Sequence, residues 1–211
     1  MVKKRCCFLW MIAGIGLVLN GCSATELEER CFPMMVSVGY QDRKVTFDAE
    51  FPKEDESGQG GRRGAEEISF EQAKIAYENR LNRDADYNHL KVLVLEEDLL
   101  EQKDVYEDML ESLMYTEDFP RNTYVCVVDE VEELEEMEKS ISQDMGTYLE
   151  EYLKKQEEKK NRLLTLGDLM DEKENQAMVL YLPYLEVEEK FIEWKGYVNI
   201  SGKNREKSIL E

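Results

Sequence analysis

The side chains able to do chemistry in this chain are few, and they are poorly placed for catalysis. His89 is the one histidine among 211 residues. A histidine base needs a nucleophile within hydrogen-bond reach and an acid to orient it. Nothing in the spacing around Asn88-His89-Leu90 supplies either, so His89 reads as a structural or surface residue. Carboxylates are plentiful, with 47 Asp and Glu against 27 Lys and Arg and a formal net charge of −20. The clusters Glu96-Glu97-Asp98, Glu132-Glu133 and Glu135-Glu136 lack the Asp-x-Asp-x-Asp-Gly spacing of a calcium loop and read as solvated faces. A glycosidase needs only two carboxylates, but nothing singles out a pair. Gly58-Gln59-Gly60-Gly61-Arg62-Arg63-Gly64 is not a phosphate cradle, because no Lys-Ser/Thr follows it and charged residues, not a strand, precede it. On these grounds no catalytic residue, metal site or cofactor is assigned. The acidity excludes DNA and RNA, whose phosphates this surface would repel, and argues against binding anionic lipid by charge alone.

Among the five cysteines, Cys22 has the most informative surroundings. Lys3, Lys4 and Arg5 form a positive start, and residues 6–19 carry no charge. Fourteen helical residues reach about 21 Å, short of a hydrocarbon core of roughly 30 Å, but they suit the apolar region of a signal peptide. Leu19-Asn20-Gly21-Cys22 follows and resembles the lipobox of bacterial lipoproteins, with Asn20 a less common choice at its position. In that pattern the cysteine takes a diacylglyceryl thioether and becomes the new N-terminus, and two acyl chains supply the anchoring that one cannot. The expectation is a signal peptide over 1–21, lipid attachment at Cys22, and a mature chain on the outer face of the cell membrane. Losing Lys3, Lys4 and Arg5 leaves that chain at −23. Cys6 and Cys7 leave with the signal peptide. Cys31 and Cys126 sit in apolar runs, outside any C-x-x-C pair, and read as buried hydrophobes. Whether they pair depends on Cα atoms coming within about 7 Å, which the sequence does not decide.

The elements that position these residues follow from periodicity. Runs 32–39 and 43–51 flank a turn at Tyr40-Gln41-Asp42, and Val45, Phe47, Ala49 and Phe51 alternate as in a half-buried strand. Residues 52–67, rich in Pro, Gly and charge, read as a flexible loop. Ser69 caps a predicted helix over 70–83 with Phe70, Ala73, Tyr77 and Leu81 on one face. Residues 90–95 and 123–128 read as strands buried on both faces, with a helix over 97–115 between them. Leu93 and Val125 lie inside those apolar runs and are expected to be buried. Residues 129–161 read as a charged helix with Gly146 as a weak point, and 165–175 as a short helix or turn. Residues 177–187 and 190–200 read as a β-hairpin around Glu188-Glu189, with Pro183 at an edge or bulge. The tail 201–211 is polar. The predicted fold class is α+β or mixed α/β: a mixed sheet with β-hairpins, a central right-handed βαβ unit over 90–128, and helices packed on the sheet. One domain spans 22–200.

With the lipobox placed and the elements ordered, the chain resembles the Ger(x)C family, the lipoprotein C subunits of bacterial spore germinant receptors. The matching segments are Thr25-Glu-Leu-Glu-Glu-Arg-Cys-Phe-Pro-Met-Met-Val-Ser-Val-Gly39; Arg80-Leu81 with His89-Leu90-Lys91-Val92-Leu93-Val94-Leu95; Arg121-Asn122-Thr123-Tyr124-Val125; and Leu182-Pro183-Tyr184-Leu185 with Gly196-Tyr197-Val198. The resemblance covers the N-terminal region of the family, whose full-length members continue into a second α/β region. It implies export, a lipid anchor and assembly with polytopic membrane subunits of a germinant receptor in the spore inner membrane. Cys22 is the only functional residue it carries over. The expected function is an exported, lipid-anchored germinant-receptor-like subunit that docks with membrane partners. A stand-alone surface lipoprotein binding a ligand or peptide is the alternative, and an exported hydrolase the third reading. The hairpin at 177–200, with Tyr181, Tyr184 and Trp194, is the candidate docking face.

Overall fold

The computed structural model describes residues 29–52, 64–116, 118–159, 161–175, 181–188, 191–199 and 207–208. The expected signal peptide, Cys22 and most of the Gly-rich segment lie outside these. The fold set out below is that of the unit from Cys31 onward.

Its centre is an eight-stranded sheet. In chain order the strands are β1 (Met35–Gln41), β2 (Lys44–Glu50), β3 (Ala65–Glu67), β4 (Val92–Glu96), β5 (Tyr124–Val128), β6 (Tyr181–Glu188), β7 (Phe191–Asn199) and β8 (Lys207–Ser208). Across the sheet they run β8-β7-β6-β5-β4-β1-β2-β3. The four middle strands β6, β5, β4 and β1 are parallel, and antiparallel hairpins extend both sides. Among the described residues six helices pack on it: α1 (Phe70–Glu78), α2 (Glu97–Glu101), α3 (Lys103–Thr116), α4 (Val131–Glu138), α5 (Met145–Glu158) and α6 (Leu166–Asn175).

Strand periodicity divides the side chains between two layers. Val36, Val38, Phe47, Leu93, Leu95, Val125 and Val127 point to a first face, where α1, α2, α3 and α6 add Phe70, Leu99, Met109 and Leu169. Met35, Val92, Val94, Cys126 and Val128 point to the second, under Leu134 and Met137 of α4 and Met145, Leu149 and Leu153 of α5. The middle strands are therefore buried on both sides, which is why they read as unbroken apolar runs. The βαβ unit over 90–128 is present: β4 and β5 pair in parallel, Leu93 opposite Val125, and both residues are fully buried. The mixed α/β fold class holds.

Several boundaries differ from the sequence expectation. The first hairpin turns at Asp42-Arg43, both with positive φ of 51° and 65°, and not at 40–42. No glycine marks that turn, so its position was hidden. The loop expected over 52–67 ends early, since Ala65–Glu67 pairs with β2 as an edge strand. The helix expected over 97–115 is interrupted at Gln102, whose ψ of 77° leaves the helical region. The one expected over 129–161 is two helices. The break is at 139–144, where the Ser140 hydroxyl donates to the Met137 carbonyl at 2.7 Å in competition with the helical ladder. Gly146 is not that break; it is the second residue of α5. Pro183 lies beside a bulge at Tyr184/Leu185. From the polar tail, Lys207–Ser208 pairs with β7.

Candidate functional site

Cys22 lies outside the described residues. His89 closes a single 3₁₀ turn, is exposed, and meets Phe32 edge-on at 4.9 Å. Cys31 belongs to the core of the first face and Cys126 to that of the second; both are buried and they form no disulfide with each other. Burial pushes the Cys126 thiol up to about 12, so it is not a nucleophile. In the β6–β7 hairpin Tyr184 is buried, and its hydroxyl donates to Asp129. Trp194 is half-buried against the second core and stands edge-on to Tyr197 at 5.2 Å. Among the described residues of this hairpin, the large apolar side chain exposed to solvent is Phe191, 55% exposed. The expectation of Tyr184 as a surface anchor is corrected accordingly.

The concave site lies elsewhere, on the second face along the edge of α4. There β1 and β2 place Ser37 opposite Asp48, Gly39 opposite Thr46, and Met35 opposite Glu50, while β3 sets Glu66 opposite Thr46. Polar residues at every second position of β2 send Thr46, Asp48 and Glu50 to this side while Val45, Phe47 and Ala49 enter the first core. Beside the end of β4, this sheet surface forms the floor of a cleft of about 750 Å³, walled by the start of α4. A smaller hollow of about 240 Å³ continues it between β2 and α4. The two share Ser37, Asp48, Val131 and Glu135 and so form one groove.

Two strand carboxylates hold the helices that border this groove. Glu96, at the end of β4, accepts from the Val131 N–H at the start of α4 at 3.0 Å. Its other oxygen sits above Gly39, so close that a Cβ there would fall 1.7 Å from Glu96 Oε2. A side chain at Gly39 would push the Glu96 carboxylate out of its capping position. Glu50, at the end of β2, accepts from the Met145 N–H with one oxygen and from the Gly146 N–H with the other, the latter at 2.6 Å. Gly146 is itself required, since a Cβ would lie 2.6 Å from the Met34 carbonyl carbon. The residues preceding these helices, Glu130 and Asp144, make no side-chain cap bond. Backbone N–H groups left free at a helix start must find acceptors, and here the sheet supplies them.

Burial raises the Glu50 carboxyl to about 8; the Met145 and Gly146 N–H groups oppose that shift, and the charges of Glu138 and Asp144 add to it. Burial likewise raises Glu96, opposed by its bond from Val131. Eight carboxylates and two cations line the larger hollow. Of the cations, Lys44 pairs with Glu66 at 3.6 Å, and Arg80 donates to the Gly64 carbonyl at 2.7 Å. Among the described residues no group of three His, Cys, Asp or Glu side chains is arranged to hold a metal. Chemically the groove is a cation-accepting surface. Sequence reading missed Glu50 and Ser37, and its reading of Glu96-Glu97-Asp98 as a solvated face is corrected at Glu96, which is partly buried and caps α4. The signal available was alternation: Glu50 continues the polar positions of β2, and Ser37 interrupts the apolar run of β1.

The family model described as spore germination protein N-terminal domain matches residues 23–187. No curated protein and no solved structure matches the chain.

Proposed function

We propose that this chain, which belongs to the spore germination protein N-terminal domain family, acts as an exported, lipid-anchored subunit of a spore germinant receptor, docked against polytopic membrane partners. The observation that carries the reading is where the family match starts. It begins at residue 23, immediately after Cys22. A lipoprotein cleaved before Cys22 would present that domain complete, tethered by its first residue. Residues 3–22, with their basic start, short apolar stretch and Leu19-Asn20-Gly21-Cys22, support the same processing. The anchor holds the domain beside the bilayer, which raises the effective concentration of any membrane partner. We read its role as docking and not catalysis, in keeping with an exposed His89 against Phe32 and two buried thiols.

The test is Cys22→Ser in the native host. The variant should leave the membrane fraction or persist at full length with its signal attached, and globomycin should make the unprocessed wild type accumulate. Crosslinking from a probe at exposed Phe191 should capture a polytopic membrane protein in wild-type membranes. Normal processing and membrane retention of Cys22→Ser would overturn the anchor. Recovery of the wild type only as an uncrosslinked monomer would overturn the docking.

A further inference from the structure

We infer that the end of the sheet where its parallel strands begin is the surface this domain lays on the bilayer, against phospholipid headgroups, and that the acidic end where those strands finish points away from it. This rests on the lipid-anchor reading and deepens it, by naming the surface that the anchor brings down. The first observation is where the chain enters the fold. β1, β4 and β5 run parallel and in step, Met35 level with Val92 and Val92 with Tyr124. The residues just before them therefore share one end of the sheet. There the Lys91 N–H donates to the Met34 carbonyl at 2.9 Å, the Tyr124 N–H to the Lys91 carbonyl at 3.0 Å, and the Asp86 N–H to the Cys31 carbonyl at 2.8 Å. Cys31, at this starting end, is nine residues from Cys22. A tether of that length averages about 17 Å as a coil and reaches about 30 Å at full stretch. The seven residues of β1 alone span about 23 Å, so an average tether does not reach past the sheet to bring its far end down.

The second observation is how charge divides between the two ends. At the finishing end Asp98, Asp129, Glu130 and Glu132 are exposed, and no cation pairs with any of them among the described residues. The β1–β2 turn brings Arg43 and Lys44 to the same end, and Lys44 pairs with Glu66 at 3.6 Å. At the starting end the carboxylates carry cations. Lys91 and Lys154 both meet Glu150, at 3.7 and 2.7 Å, and Arg121 pairs with Asp171. Arg162, whose N–H donates to the Tyr197 hydroxyl, is exposed beside them. A bilayer holding anionic lipid has a negative surface potential that falls off within about 8–10 Å. The five residues of β4 and of β5 hold the two ends about 17 Å apart. With the starting end down, the acids are screened from the bilayer despite the net charge of −20. The reverse pose presses four carboxylates without a cation against it. The third observation is apolar. Phe32, Tyr124 and Leu163 are half-buried at the starting end, with Phe32 edge-on to His89 at 4.9 Å. Side chains that are partly packed and partly wet suit the headgroup zone. Affinity comes from the acyl chains, and these contacts set the pose.

The test uses the full lipidated chain in vesicles of phosphatidylcholine and phosphatidylglycerol, with a thiol-reactive fluorophore placed at one end or the other. His89→Cys and Asn122→Cys report the starting end, and Asp98→Cys and Glu132→Cys the finishing end; all four positions are exposed, while Cys31 and Cys126 are buried. Lipid carrying a nitroxide on its headgroup should quench both starting-end probes several-fold more than both finishing-end probes. Adding phosphatidylglycerol should widen that contrast, because it repels the acids. Equal quenching at the two ends, or stronger quenching at Asp98→Cys and Glu132→Cys, in protein that floats with the vesicles would overturn the resting surface and leave the anchor standing. A contrast that does not widen with phosphatidylglycerol would overturn the part assigned to charge. Protein that does not float with the vesicles would overturn the anchor itself, and the resting surface with it.

Discussion

On the face under α1, α2, α3 and α6, the sheet meets its helices through Phe47, Leu93, Leu95 and Val125, with Phe70, Tyr77 and Tyr87 around Phe47 at centroid distances of 5.4–6.5 Å and Phe119 against Tyr87 at 4.6 Å. On the face under α4 and α5, the apolar contact runs from Met35 of β1 to Ile192 of β7, and towards β2 the buried carboxylate of Glu50 takes over. On the first face α1 and α6 carry their own caps, while α2 makes no side-chain cap bond. The Ser69 hydroxyl accepts from Gln72 N–H at 3.4 Å, and Thr165 and Asp168 exchange bonds at the start of α6, with Thr165 N–H to Asp168 at 2.8 Å. The helices of the second face are capped across space by Glu96 and Glu50. A locally capped helix has its start fixed before the sheet forms. A helix capped by a strand has a definite start only once the sheet is in place, so the second layer depends on the first. The open groove borders this dependent layer, where charge that a packed core could not tolerate stays within reach of solvent.

The hardest break in this comparison is at the shared strand. Leu93→Asp should destabilise the protein by about 4 kcal/mol, because a carboxylate among fully buried apolar groups must be desolvated or stay protonated. An unchanged melting temperature would show that the first face is not packed as described.

A subtler break exploits the acidic cap. The Glu50 carboxyl is raised from 4.5 to about 8, so the folded protein holds a proton that the unfolded chain has already released. Folded protein therefore binds more protons than unfolded protein between those values, and stability falls as pH rises through that window, levelling off above about 8. The loss from pH 6 to 7.5 should be on the order of 1–2 kcal/mol, read from urea midpoints. Glu50→Gln should flatten that slope. An identical slope in the variant would assign the pH dependence to other groups.

The smallest effect belongs to the locally capped layer. Ser69→Ala should lower stability by about 1 kcal/mol and do so equally at pH 6 and pH 8. A pH-dependent loss at Ser69 would erase the distinction between the two kinds of cap.

Much of this molecule was legible in its residues. The runs at 90–95 and 123–128 contain enough consecutive apolar side chains to require burial on both faces, and the intervening amphipathic segment requires a crossover; β4, α3 and β5 follow. Ser69 before Phe70 announced α1, because that cap is a bond between neighbours in sequence. Glu50 and Glu96 gave no such notice. Each looked like one of 47 acids on a soluble surface, since their partners at Met145 and Val131 are 95 and 35 residues away. The groove was hidden for the same reason, its floor coming from the β1–β2 hairpin and its wall from α4. The sequence by itself determined the central strands, the Ser69 cap and the family, because those rest on periodicity and on contacts between near neighbours. Only the tertiary structure decided which carboxylates are buried, which glycines have no room for a side chain, and where the acids converge, because those depend on distances that exist only after the sheet has closed.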